Sequence, residues 1–133
     1  MATKLVFESA SNLVMRLNNK EISSVELTQS YIDQIEEHDD DINAVVVRRF
    51  DEALAEASAA DTARANDQNL GPLHGLPITI KESYVMEGTP STWGIPSQKD
   101  NIGQKDGLIV KRFKEAGAHF LGKTNVPLDL ADI

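Results

Sequence analysis

Cysteine is absent from this chain, which excludes disulfide staples and zinc–thiolate sites and fits a reducing compartment. Positive charge is in deficit: 13 Lys and Arg stand against 21 Asp and Glu, a formal net charge of −8. Nucleic-acid binding is dominated by cationic contacts to phosphates, so that balance disfavours it. No basic cluster or polybasic helix is present to meet an anionic membrane surface. No window approaches the apolar length of a transmembrane span, and the opening Met-Ala-Thr-Lys-Leu-Val-Phe-Glu lacks the apolar core of a signal peptide. Internal repeats and low-complexity tracts are missing as well. The expectation is a cytoplasmic protein that engages neither nucleic acid nor membrane. No metal or cofactor is expected. The run Glu36-Glu37-His38-Asp39-Asp40-Asp41 offers oxygens, but it lacks EF-hand spacing and reads as a solvated turn at a helix end.

What is present alternates between helical and strand periods. Residues 7–18, with Phe7, Leu13, Val14 and Leu17, read as a short amphipathic helix. Ser23 and Glu26 form a capping-box signature for a second helix to about Glu37, whose apolar positions are Leu27, Tyr31, Ile32 and Ile35. Ala44 to Val47 reads as a buried strand. An alanine-rich helix follows from Phe50 to about Asn66, with Leu54 on its packing face and the polar stretch Asn66-Asp67-Gln68-Asn69 at its end. Residues 84–105 read as a long loop, and loops of that length are often functional. Asp106 is placed to cap a helix carrying Leu108, Ile109, Val110 and Phe113, which Gly117 ends. Ala118 to Leu121 is a strand, and Pro127 starts a further helix. Helices alternating with short buried strands predict an α/β fold.

The most informative stretch is residues 71–83, Gly-Pro-Leu-His-Gly-Leu-Pro-Ile-Thr-Ile-Lys-Glu-Ser. A turn punctuated by Gly71, Pro72, Gly75 and Pro77 leads into the strand Ile78-Thr79-Ile80, which carries Lys81 at its end. Such a strand is expected to carry the lysine toward the interior. Burial disfavours an ammonium, so a lysine so placed can serve as a neutral general base. On the residues alone, a lysine closing a strand is more often a solvated or snorkelling cation.

The same segment resembles the lysine motif of the amidase signature family, serine hydrolases that use a Ser-Ser-Lys triad on carbon–nitrogen bonds. Gly88-Thr89-Pro90-Ser91-Thr92-Trp93-Gly94 is similar to the Gly- and Thr-rich loop after the lysine strand in that family. Ala116-Gly117-Ala118-His119-Phe120-Leu121-Gly122-Lys123-Thr124-Asn125-Val126-Pro127 resembles its helix–strand–turn segment, and Leu27 to Ile32 and Ile42 to Val45 fit its opening. The likeness runs from about Phe7 onward and implies the amino-terminal part of a mixed sheet flanked by helices, residues 1–133 forming one portion of a single amidase domain. It matches Lys81 to the catalytic lysine, places Thr92, Trp93 and Gly94 in the substrate-pocket wall, and implies a small carboxamide as substrate. Trp93 stands where a small polar residue is commoner. Glu82 stands where aspartate is commoner, and strand alternation sends it to the face opposite Lys81, as a structural residue. His74 is expected to hold the turn by a hydrogen bond. Lys123, Thr124 and Asn125 are expected as turn residues, while His38 and His119 carry no functional signal.

The resemblance also implies a Gly- and Ser-rich segment with bridging serine, nucleophilic serine and oxyanion donors, and the sequence ends at Ala131-Asp132-Ile133 ahead of it. None of the nine serines sits in a Gly-Ser-Ser or Gly-x-Ser-x-Gly context. The chain alone is therefore expected to be inactive, and to self-associate through an incomplete sheet. Two other readings stand beside this one. A non-catalytic binding or scaffold domain is favoured only by the short length. A P-loop is literally matched by Gly117 to Thr124, but a helix precedes Gly117 and a strand fills the space between the glycines, which opposes a phosphate nest.

Overall fold

The computed structural model describes residues 5–66, 68 and 70–131. Asp67 and Asn69 of the polar stretch, the first four residues, Asp132 and Ile133 lie outside the described residues. Four helices and three strands follow one another: α1 (Ala10–Asn18), α2 (Ser24–Ile42), β1 (Val45–Arg48), α3 (Phe50–Ala65), β2 (Pro77–Lys81), α4 (Leu108–Glu115) and β3 (His119–Thr124). The sheet order is β1-β3-β2, with β1 antiparallel and β2 parallel to β3. This is the α/β arrangement with a small mixed sheet that the alternating periods predict.

Local chemistry explains most boundaries. The Ser23–Glu26 capping box forms in full, the Ser23 amide donating to the Glu26 carboxylate at 2.9 Å and the Glu26 amide to Ser23 Oγ at 3.0 Å. The helix does not stop near Glu37. It runs through the acidic stretch to Ile42 and ends at Asn43 in the left-handed region (φ 54°). The reason lies beyond the helix: buried Asp39 accepts from the Ala44 amide at 2.6 Å and pairs with Arg48 at 3.1 Å, tying the last turn to β1. Burial pulls the Asp39 pKa upward, and these donors more than offset it, leaving the carboxyl below its ordinary value. At the start of the chain α1 begins only at Ala10, capped by Ser9, and Phe7 is 75% exposed in a 3-10 turn rather than packed. In α3 the buried stripe is Ala53, Ala57, Ala60 and Arg64, while Leu54 is only partly buried at its margin. Small side chains at that spacing let the helix approach β3 closely. Asp106 does not cap α4; Gly107 occupies that position, and Asp106 instead accepts from the Glu87 amide and pairs with Lys114 at 2.7 Å. Pro127 precedes a single 3-10 turn, Leu128–Leu130, not an α-helix.

β3 is buried on both faces because helices cover one and α4 with the 84–105 segment covers the other. Leu121 packs with Ile32 of α2 and Ala53 of α3, whereas Phe120 packs with Ile80, Met86 and Val110. Neighbouring strand residues pointing to opposite faces make this division. Of β1, Val45 is buried but Val46 is 40% exposed, so that strand is covered on one side only. The 84–105 segment is folded rather than structureless. Bridges Glu87–Gly103 and Pro90–Ile102 and the 3-10 turn Pro96–Gln98 give it a fixed path.

Candidate active site

The turn before β2 is built by its neighbours. Leu73 donates to the Ala116 carbonyl at 2.8 Å and Gly75 to the Gly117 carbonyl at 2.9 Å, so the end of α4 seats the turn. That end is a Schellman arrangement, with Gly117 donating to Lys114 and Ala118 to Phe113. Gly117 has φ +92°, and a Cβ there would lie 2.7 Å from the His74 Cα, so both conformation and space require glycine. On its other side the turn meets α3. His74 Nε2 contacts the Ala60 carbonyl at 2.8 Å, and Arg64 donates to the His74 carbonyl at 2.9 Å while pairing with Asp61 at 2.8 Å. Asp61 in turn accepts the first amides of α2, from Ser24 and Val25. His74 thus holds the turn, as its position predicts.

Lys81 closes β2 beside Thr124 of β3. Its side chain is exposed, not interior, which corrects the sequence expectation. β2 is an outer strand, and alternation sends Thr79 and Lys81 together to an exposed face while Ile80 and Glu82 turn into the core. Among the described residues no hydrogen bond or ion pair engages the Lys81 ammonium. The burial that would make it a neutral base is not supplied by these residues.

Lys123 is the lysine drawn out of water. It is not a turn residue but a member of β3, 0% exposed, with Nζ donating to the Pro90 carbonyl. Burial lowers its pKa, and the negative charge of Glu82 acts in the opposite direction. Glu82, 4% exposed, accepts the backbone amides of Thr92 and, at 3.0 Å, of Trp93. Ser91 is buried, its carbonyl taking Asn101 Nδ2 at 2.7 Å. Trp93 and Gly94 both adopt left-handed backbone (φ 56° and 69°), and the Trp93 carbonyl receives the Asp129 amide at 2.8 Å. A pocket open to solvent is lined by Ser91, Thr92, Trp93, Ile95, Gln98 and Asn101. The residues singled out in sequence, Lys81 and Thr92 to Gly94, are therefore joined through Glu82, the residue next to the lysine. Asn125 ties its turn to β1, its amide donating to the Ala44 carbonyl at 2.8 Å.

The P-loop reading is overturned. Residues 119–121 are buried in sheet structure, no α-helix follows Thr124 among the described residues, and the Lys123 ammonium is sealed against Pro90. Extended backbone in a paired strand has no free amides to form a phosphate nest.

His119 is buried, its Nε2 meeting Thr28 Oγ1 at 2.8 Å and its Nδ1 without a hydrogen-bond partner. Burial pushes its pKa down to about 4; Asp61 opposes the change, and His74 and Arg49 add to it. The unfolded chain then binds more protons than the folded one between about pH 6.5 and about 4, so stability falls as pH falls through that window. The expected loss is about 3 kcal/mol. Glu26, Asp39 and Asp106 are held below their ordinary carboxylate values and add to the loss toward the acid end of the window. Denaturant titrations at low protein concentration should show a steeper slope in the parent than in His119→Gln; an equal slope in both would refute the assignment.

No helix among the described residues is long and apolar enough to cross a membrane, and no group of three or more metal-ligating side chains is found among them. With this geometry in place, comparison with known proteins places the fold in a family of hydrolases. The chain belongs to the amidase family, whose profile, described as Amidase, matches residues 26–130. It is 42% identical over 119 residues to the indoleacetamide hydrolase of Bradyrhizobium diazoefficiens, covering 90% of this chain and 23% of that protein. To the acylamidase of Rhodococcus erythropolis it is 35% identical over 121 residues, covering 90% and 25%. Among solved structures, a bacterial aryl acylamidase of the amidase signature enzymes superposes with a TM-score of 0.86 at 32% identity, over 92% of this chain and 26% of that one. The chain spans about a quarter of the length of the curated relatives it matches.

Proposed function

We propose that these residues are the amino-terminal portion of one amidase domain, and that Lys81 is the base of a Ser-Ser-Lys triad hydrolysing small carboxamides to acid and amine or ammonia. A cytoplasmic setting goes with this reading and with the absence of cysteine. The observation that carries it is the placement of Lys81: a turn seated by α3 and α4 aims it off the end of β2, exposed and unpartnered among the described residues. The loop of Thr92, Trp93 and Gly94 is fastened to the adjacent Glu82 and forms part of the pocket wall.

The serine-bearing remainder of the domain covers the Lys81 face and takes the lysine out of water, which favours its neutral form. The nucleophilic serine Oγ then attacks the carboxamide carbon while its proton passes through the bridging serine to Lys81. The proton returns to the departing amine as the carbon–nitrogen bond breaks, leaving an acyl-serine that water hydrolyses. Donors in the serine-bearing segment stabilise the oxyanion.

The test compares the 133-residue chain with the same chain joined to a Gly- and Ser-rich amidase remainder. The joined protein is expected to release ammonia from simple carboxamides and to react with a fluorophosphonate; the chain alone does neither. Serine-dependent labelling of the chain alone, or a joined and folded protein that hydrolyses no amide, would overturn the reading and leave a binding or scaffold domain in its place.

A further inference from the structure

We propose that Lys123 and Glu82 are positioning residues of the amide site: together they form a buried polar latch that sets the path of residues 90–93. This rests on the reading above, that the loop walls the substrate pocket.

The latch grips successive residues of one short segment. Lys123 Nζ holds the Pro90 carbonyl, Asn101 holds the Ser91 carbonyl, and the Glu82 carboxylate holds the Thr92 and Trp93 amides. Its charged members come from different places in the fold. Lys123 projects from the central strand β3, and Glu82 from the residue after β2. Ile80 and Lys123 are register partners, so the lysine rises beside the core face of β2 and beneath the loop. Removing two charges from water is unfavourable unless their donors and acceptors are met, and an apolar pair would fill the same space without that penalty. Polar side chains here do what apolar ones cannot. They fix backbone groups of a segment in which Trp93 takes a left-handed conformation that a non-glycine residue rarely holds in a free loop. Lys123 is out of reach of a substrate, since its side chain is fully buried and its Nζ is held by the Pro90 carbonyl. The consequence is a division of labour between two lysines, one exposed at the reaction centre and one buried beneath its wall.

The decisive variant is Lys123→Met, an unbranched side chain one atom shorter that fills most of the space and removes the donor, made in the protein that carries this chain. Amide hydrogen exchange at Thr92 and Trp93 is expected to rise about tenfold or more, while Phe120 and Gly122 in β3 keep their protection. KM for a carboxamide is expected to rise roughly tenfold to a hundredfold, with a smaller change in kcat, because Lys81 and the serines are untouched. Should Lys123→Met not fold, Glu82→Gln, which drops the charge and keeps one acceptor, is expected to give the same pattern more weakly. Unchanged exchange at Thr92 and Trp93 in either folded variant overturns the latch. Raised exchange with KM and kcat unmoved leaves the latch standing as a structural device and overturns its role in positioning, along with the assignment of the loop to the pocket wall. Amide hydrolysis lost in the parent protein itself is the separate failure of the proposed function.

Discussion

Replacing Lys81 with alanine should lower amide hydrolysis by about 10³- to 10⁴-fold in the protein that carries this chain, and leave the stability of the 133 residues by themselves unchanged. The size follows from the loss of a general base that also returns the proton to the leaving group, a contribution of that order where it has been dissected. The silence of the fold in these residues follows from exposure. Lys81 packs into no core cluster, and its side chain engages no partner among the described residues. Surface substitutions of that kind stay within about 0.5 kcal/mol. The sign also differs from that of Lys123, whose removal leaves a buried carboxylate beside an unfilled space. Steady-state kinetics with one carboxamide, together with thermal unfolding of the 133 residues with and without the substitution, makes the comparison. Full activity in Lys81→Ala would refute the assignment of the base, and a large loss of stability would mean that Lys81 has a structural partner.

The second large effect concerns the 133 residues by themselves. They are expected to associate with rising concentration, to bind dyes that report exposed apolar surface, and to melt over a broad range. β1 and β2 are both outer strands with one edge unpaired in the three-stranded sheet, and unpaired edges template pairing with other chains. Apolar side chains stand out from the same body: Val46 is 40% exposed, Ile109 41%, Leu108 63% and Phe113 36%. Patches beyond a few hundred Å² drive association. The net charge of −8 gives colloidal repulsion but removes none of that surface. Size-exclusion chromatography with light scattering across a concentration series decides the matter. A sharp monomer with cooperative unfolding would mean that these residues close their own core.

Features set by short-range chemistry are legible in the sequence itself. The Ser23–Glu26 box and the glycine that ends α4 depend on neighbours a few residues away, and strand alternation puts Lys81 and Glu82 on opposite faces, although it is Glu82 and not Lys81 that turns inward. Lys123 is not legible, because Gly-Lys-Thr-Asn has the composition of a turn. Its burial comes from β1 and β2 flanking the strand and from Pro90 arriving from a distant loop. A register shift between Ile78 and Thr79 of β2 also puts Lys123 on the face of Phe120, where plain alternation would oppose them. The continuation of α2 through five acids and a histidine is hidden for a similar reason, since the Asp39 carboxylate finds its donors at Ala44, Val45 and Arg48 after the chain has turned. Lys81 misleads in the opposite direction. Its apolar neighbours suggest an interior, but the position of β2 in the sheet decides exposure, and strand order is not written in a single strand.

The order β1-β3-β2 has a consequence for how the chain is made. Of these three strands the one made last is the one in the middle, so β1 and β2 do not pair with β3 until Thr124 has been synthesised. Loop closure over such separations is slow, and strands waiting for it expose pairing edges. The helices need no such wait: the Asp61 carboxylate that takes the first α2 amides lies in α3, ahead of β3 in the chain. A chain that ends before β3 has β1 between α2 and α3 and β2 after them, both strands unmatched, and such edges are the surfaces that chaperones shield.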